Sequence, residues 1–227
     1  MSRDPAAALD ESARDRLRTV LDLLAQEQAS VSSVVDERAW QVHVVDSLTG
    51  LEIPELAATQ RIADIGSGAG FPGLVLAVAL PASRVELIES VGRKCEFMRR
   101  AIEAAGIENA EVVNARSEEL AAGPGRERFD AVTARAVGRL STLAELASPL
   151  LREGGALIAW KGRRDEEEEL ELERAAEALA MEPEQILAVG PYAGSRHRHL
   201  HVMRKSGETP ADLPRRPGMA KKRPRGS

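Results

Sequence analysis

Residues 64–73 read DIGSGAGFPG, four glycines in ten positions behind an acid. A backbone so rich in glycine must turn sharply or come close to another group. Two parsings compete. Residues 68–73, GAGFPG, satisfy G-x-G-x-x-G, which alone is a weak dinucleotide signature. Counted from Asp64, the string is D-x-G-x-G-x-G, with Gly66, Gly68 and Gly70 alternating behind the acid. A pyrophosphate seated on a helix N-terminus would be repelled by that acid. A cationic ligand, such as the amino group and sulfonium of S-adenosylmethionine, suits it. Asp64 can also simply cap the turn. Glu89 is placed to accept both hydroxyls of a ribose, a role that serves either ligand. In NARSEEL, Ser117 and Glu118 follow a strand end, where they can meet an adenine ring. Ser117 followed by acids is equally a good helix start.

Absences narrow the chemistry. The Asp/Asn-Pro-Pro-aromatic tetrapeptide used on exocyclic amines is missing, and that position reads TARA. A Pro-Cys pair, the nucleophile for carbon-5 methylation of pyrimidines, is missing too. The single cysteine, Cys95, falls mid-helix between Lys94 and Glu96 and reads as a packing residue. HRHLH (197–201) holds three histidines in five residues but has no acidic partners nearby, so no metal site is expected. His43 fits either a place at the cofactor mouth or helix packing. Single-stranded RNA bases stack on aromatic platforms. Trp40, Phe71, Trp160 and Tyr192 are the candidates, although Phe71 and Trp160 also suit a core.

Strand tips must present these groups. Apolar runs at 61–65, 84–89, 110–115, 129–134 and 155–160 read as strands. Helical patterns fall between them: 72–80 with Pro in its first turn, 92–106 closed by Gly106, and 141–151. A helix over 165–180 masses acids at its positive N-terminal end, the run 165–169 reading as a solvated start. Two more strands, 185–190 and 199–204, are joined by so short a link that they should be antiparallel. Helical spacing also marks 11–29, and a short helix is expected within 36–50. The alternation predicts an α/β fold with a mainly parallel sheet covered on both faces. Ligands then bind beyond the carboxyl ends of the strands, where Asp64, Glu89, Ser117, Arg135 and Lys161 fall.

The chain has 227 residues, enough for one well-cored domain with an appendage. One cysteine excludes an internal disulfide framework and fits a reducing compartment. No stretch approaches the ~18 apolar residues of a membrane span, and the N-terminus lacks an apolar signal core. A cytoplasmic protein is therefore expected, with a monomer as the default. Residues 204–227 hold eight Lys/Arg against two acids, a charge of +6 that leaves −11 on the rest. That tail reads as a disordered, solvated end or as a nucleic-acid arm.

The strings RIADIGSGAGFPGLVLAV, LIESVGRKCEFMR, NARSEEL, TARA and AWKG resemble the glucose-inhibited division protein B family, small-subunit rRNA methyltransferase G. HVVDSL (43–48) and RHLHVM fit as well, so the resemblance spans roughly residues 30–205. Glu89 stands where the family often has Asp, which keeps the acid. The resemblance implies a class I, Rossmann-like methyltransferase with a mostly parallel seven-stranded sheet and an antiparallel last strand. It implies an N-terminal helical extension (1–58) and an S-adenosylmethionine-dependent domain (59–205); the basic tail (206–227) lies outside the resemblance. Gly66 and Phe71 would touch the cofactor, Glu89 the ribose, Ser117 and Glu118 the adenine. Arg135 would close the site, and Asp64, Gly68 and Gly70 would complete the loop.

The implied reaction moves a methyl to guanine N7 in 16S ribosomal RNA or the small subunit. N7 has a free lone pair at neutral pH, so no general base is needed and catalysis rests on proximity and alignment. Arginine bound to O6 and N7 together would block attack. Arg135, Lys161 and Arg198 are instead expected to position the substrate by its phosphates or O6 side. Arg135→Ala should then cut turnover with the fold intact. A methyltransferase acting on a small molecule or a protein shares the cofactor half of this reading. A nicotinamide oxidoreductase lacks a hydride site here. A plain RNA-binding module leaves the glycine loop and Glu89 unexplained.

Overall fold

A computed structural model describes residues 5–27, 31–32 and 34–227. The seven strands are β1 (Arg61–Ile65), β2 (Arg84–Glu89), β3 (Ala110–Asn114), β4 (Phe129–Arg135), β5 (Leu151–Lys161), β6 (Met181–Val189) and β7 (Arg198–Lys205). They form one sheet in the order β3-β2-β1-β4-β5-β7-β6. Only β7 runs against its neighbours, pairing antiparallel with β5 and β6. The helices in chain order are α1 (Glu11–Gln26), α2 (Asp46–Leu48), α3 (Pro54–Ala57), α4 (Gly73–Ala79), α5 (Gly92–Ala105), α6 (Ser117–Ala121), α7 (Leu140–Ala147), α8 (Glu166–Leu179) and α9 (Met219–Lys222). Among the described residues no helix is long and apolar enough to cross a membrane.

Period-two alternation assigns the two faces of the sheet. Ile62, Ile158 and Trp160 join α1, α4 and α5 in one apolar cluster, while Ala63, Ile65, Leu157 and Ala159 join α7 and α8 in the other. The helix at α1 is capped by Asp10, whose Oδ1 accepts from Ala13 N–H at 2.7 Å, and it buries Leu17, Val20 and Leu24. It ends at Gln26; residues 28 and 29 of the expected stretch lie outside the described ones.

Three expectations change. The helix expected over 141–151 stops at Ala147, and Leu151 already belongs to β5. The acidic start of α8 is not wholly solvated: Glu168 and Glu171 are buried and accept from Leu140 N–H (2.6 Å) and Arg139 (2.7 Å). The third change concerns the tail. Residues 206–227 lie folded against the body instead of extending into solvent, because the body supplies partners that local sequence does not reveal. Buried Glu145 pairs with Arg215, Arg126 donates to the Leu213 carbonyl (3.1 Å), and Leu213 and Ala220 are buried.

The segment Trp40–Val45 winds as a π-helix that runs on into α2, and it docks on β5. Trp160 Nε1–H donates to the Asp46 carbonyl (2.9 Å) and Thr49 Oγ1 (3.2 Å). Its ring faces Gly50, where a Cβ would come within 2.6 Å. Trp160 is thus a core clamp on the N-terminal extension, and it also lines the cleft that holds Asp46 and Arg135.

Candidate active site

The glycine loop is built from both ends. Gly66, Gly68 and Gly70 have φ of +63°, +61° and +91°, a region that L side chains rarely adopt. Gly66 and Ser67 N–H both donate to the Ile88 carbonyl of β2, at 2.8 and 3.2 Å. Glu89 closes the loop from the next strand: Oε2 accepts from Gly68 N–H (3.1 Å) and Oε1 from Val91 N–H (2.9 Å).

Asp64 was expected to face a ligand. It is fully buried, and its carboxylate accepts from Thr133 Oγ1 (2.8 Å) and from Gly73 N–H (3.2 Å) at the start of α4. It therefore ties β1, β4 and the loop together. Burial pushes its pKa up to about 6, against the hydrogen bonds from Thr133, Ser67 and Gly73 that lower it. A carboxyl raised in the folded state stabilises below its unfolded value, and that contribution is lost as pH rises through about 6. Asp64→Asn removes the buried charge; its Oδ1 can still accept from Gly73 N–H, while its Nδ2–H donates to Thr133 Oγ1 and reverses that bond. We expect it to unfold later than the parent at pH 8, by at most on the order of 3 kcal/mol. At pH 4 the two should match, while S-adenosylmethionine binds more weakly. Calorimetric melts at the two pH values, with a cofactor titration, check this.

Two clefts flank the turn after β4. One, of about 190 Å³, is lined by Gly66, Glu89, Ser117, Glu118 and Val137, together with Gly218, Ala220 and Lys221. The other, of about 200 Å³, is lined by Asp46, Arg135, Ala136, Gly138, Lys161, Arg198 and His199. The structure thus brings Gly66, Glu89, Ser117 and Glu118 together on one side and Arg135, Lys161 and Arg198 on the other. Asp64, Gly68, Gly70 and Phe71 line neither cleft and build the loop. Ser117 is not the helix cap: Glu119 takes the Arg116 N–H at 2.9 Å.

Arg135 is largely buried. Its guanidinium donates to the Val42 carbonyl (2.9 Å), Asp46 Oδ2 (3.0 Å) and His43 Nδ1 (3.3 Å). Burial lowers its pKa and Asp46 opposes the shift. Because Arg135 can only donate, His43 carries its proton on Nε2, facing the Val34 carbonyl at 2.9 Å. His43 stacks on Phe71 with centroids 4.5 Å apart, and burial lowers its pKa. His43 lines neither cleft; it packs in its helix and backs the glycine loop through Phe71. Lys161 Nζ donates to the Gly138 carbonyl (3.1 Å) and pairs with Glu168 (2.6 Å), fixing the turn between the clefts. Arg198 remains part-exposed, its Nε 3.6 Å from Asp46 Oδ1. That Oδ1 is buried and has no hydrogen-bond partner. Asp46 is the site residue missed by sequence reasoning; the one signal was its place in HVVDSL. Cys95 is buried, its thiol donating to the Glu89 carbonyl (3.2 Å), with burial raising its pKa.

Solved structures share this architecture. Aeropyrum pernix fibrillarin with bound S-adenosyl-L-methionine superposes with a TM-score of 0.55 at 14% identity, over 70% of this chain and 72% of that one. A SAM-dependent methyltransferase from Aquifex aeolicus gives 0.53 at 18%, over 74% and 93%. Curated relatives are nearer in sequence. "Ribosomal RNA small subunit methyltransferase G" of Pelotomaculum thermopropionicum is 41% identical over 86% of this chain and 82% of its own. The Rubrobacter xylanophilus protein of that name is 45% identical over 80% and 71%. The family profile described as GidB, rRNA small subunit methyltransferase G, matches residues 18–200, which hold the glycine loop, Glu89 and every predicted lining residue of both clefts. With fold, loop and clefts in agreement with that match, the chain belongs to the rRNA small subunit methyltransferase G family.

Proposed function

We propose that this chain transfers the methyl of S-adenosylmethionine to N7 of a guanine in 16S ribosomal RNA. The cofactor's place is the Glu89 cleft. Its residues fit: a carboxylate at a strand tip accepts ribose hydroxyls, and Glu118 accepts from an amino group. When bound there, the cofactor supplies an electrophilic methyl on a sulfonium. Gly66 lines the cleft, with Phe71 and Asp64 holding the loop beneath.

The observation that carries the acceptor side is Asp46 Oδ1, buried without a hydrogen bond in a cleft beside three cations, with Arg198 Nε 3.6 Å away. Guanine offers two donors on its Watson–Crick edge, N1–H and the N2 amino group, while N7 and O6 accept on the other. A carboxylate that takes the donor edge leaves N7 uncovered. Arg198, part-exposed, can leave Asp46 for an RNA phosphate and free Oδ1 for the base. Lys161 and Arg135 keep the turn and Asp46 in place. No group on the chain need remove a proton, because N7 attacks with its own lone pair.

Asp46→Asn sets an amide donor against the guanine edge. We expect a 10- to 100-fold fall in methylation rate, the size of a mismatched base contact, with cofactor affinity within twofold of the parent. Steady-state kinetics and a cofactor titration check it. The reaction itself is tested on small subunits from cells lacking the modification, with labelled S-adenosylmethionine and nucleoside digestion. Label in 7-methylguanosine confined to 16S RNA supports the reading. Label in another nucleoside overturns it.

A further inference from the structure

The cleft assigned to the cofactor has an outer wall that the family match, ending at residue 200, does not include. Gly218, Ala220 and Lys221 stand there opposite Glu89, Ser117 and Glu118. The wall is anchored. Arg215 pairs with Glu145, which is buried, and donates to the Arg223 carbonyl at 2.8 Å, closing the segment on itself. Thr142 Oγ1 donates to the Ala220 carbonyl (3.3 Å), and Ala220 is 2% exposed. Gly218 turns the chain with φ of +81° and donates its N–H to Glu118 Oε1 at 2.7 Å. Ordering a basic segment costs conformational entropy of about 1–2 kcal/mol per residue, which these contacts offset.

From these contacts we infer that residues 215–222 are a cofactor-binding element, the wall that encloses the adenosine end of S-adenosylmethionine. This rests on the methyltransferase reading of the cleft. Gly218 N–H fixes one oxygen of Glu118 and leaves the other for an amino group of the purine. Lys221 supplies a mobile donor where the ring nitrogens of adenine only accept. Ala220, small and buried, leaves room for the ring. The element makes the cofactor half of the site depend on chain that follows the sheet.

The test uses the full-length protein and S-adenosylhomocysteine, the demethylated product. Trypsin can cut after the exposed Lys221 and Lys222. Saturating ligand is expected to slow those cuts at least fivefold, while cutting after the exposed Arg163 and Arg164, remote from the cleft, changes less than twofold. In parallel, Gly218→Pro removes the donor and forbids the φ of +81°. It should weaken S-adenosylhomocysteine binding at least tenfold by calorimetric titration. If the parent binds the ligand yet the cuts after Lys221 and Lys222 are unprotected, the inference fails and the methyltransferase reading stands. If the parent does not bind the ligand at all, that reading fails first.

Discussion

Arg135→Ala is expected to destabilise the protein by about 3–5 kcal/mol and to abolish methyl transfer together with it. The size follows from what the guanidinium leaves behind. Asp46, 6% exposed, would keep a carboxylate with no hydrogen-bonded cation. The Val42 carbonyl and His43 Nδ1 would lose their donor. Removing one member of a buried pair costs more than the pair itself contributes, because the survivor stays desolvated. Sequence alone pointed to a loss of turnover with an intact fold. The structure revises this, since Arg135 fastens the N-terminal extension to β4. Urea denaturation and a methylation assay, run on Arg135→Ala and on the double variant Arg135→Met/Asp46→Leu, separate the two effects. The double variant should recover most of the stability and none of the activity. A stable, active Arg135→Ala protein would remove Arg135 from the site.

Gly73→Ala should be nearly as severe for a different reason. A Cβ at residue 73 would stand 2.8 Å from Asp64 Oδ2 and 3.0 Å from Asp64 Cβ, and would also press on Leu87. All three positions are buried, so no far end of a side chain can swing away. Either the carboxylate leaves Gly73 N–H and Thr133, or α4 moves off the sheet. Overpacking of this kind costs about 1–3 kcal/mol, and here it also displaces the glycine loop. We expect S-adenosylmethionine affinity to fall at least a hundredfold. Gly92→Ala is the control: its Cβ meets nothing closer than 3.9 Å, so stability should be unchanged or rise by about 0.5–1 kcal/mol. Equal cofactor affinity in the two variants would show that the junction beneath the loop is not tightly built.

What the sequence revealed and what it hid follow one division. Groups at the tips of successive strands could be placed together from pattern alone. Gly66, Glu89, Ser117 and Glu118 duly share a cleft, because parallel strands put their carboxyl ends on one side. Pairings between remote segments carry no local signal. Nothing in HVVDSL announces that Asp46 meets Arg135, and nothing near Trp160 shows that its ring seats on Gly50. Charge was the other blind spot. Acids in α8 and bases after residue 205 read as solvated runs, since a run shows its own sign and not its partner's. Buried Glu171 and Glu145 meet Arg139 and Arg215, 32 and 70 positions away.

The remote pairing around Asp46 has a consequence for synthesis. A ribosome delivers the chain from its N-terminus, and neighbouring segments can fold before distant ones exist. Gly68 and Glu89 lie only 21 positions apart, so the glycine loop can close early. Asp46 is made 89 residues before Arg135 and 114 before Trp160, the two side chains that hold its segment in place. For that interval the segment has no seat, and its carboxylate stays in water. The outer wall at Gly218 comes later still, 100 positions after the Glu118 it binds. A nascent chain that stalls before residue 135 therefore holds a formed glycine loop and neither of the two clefts.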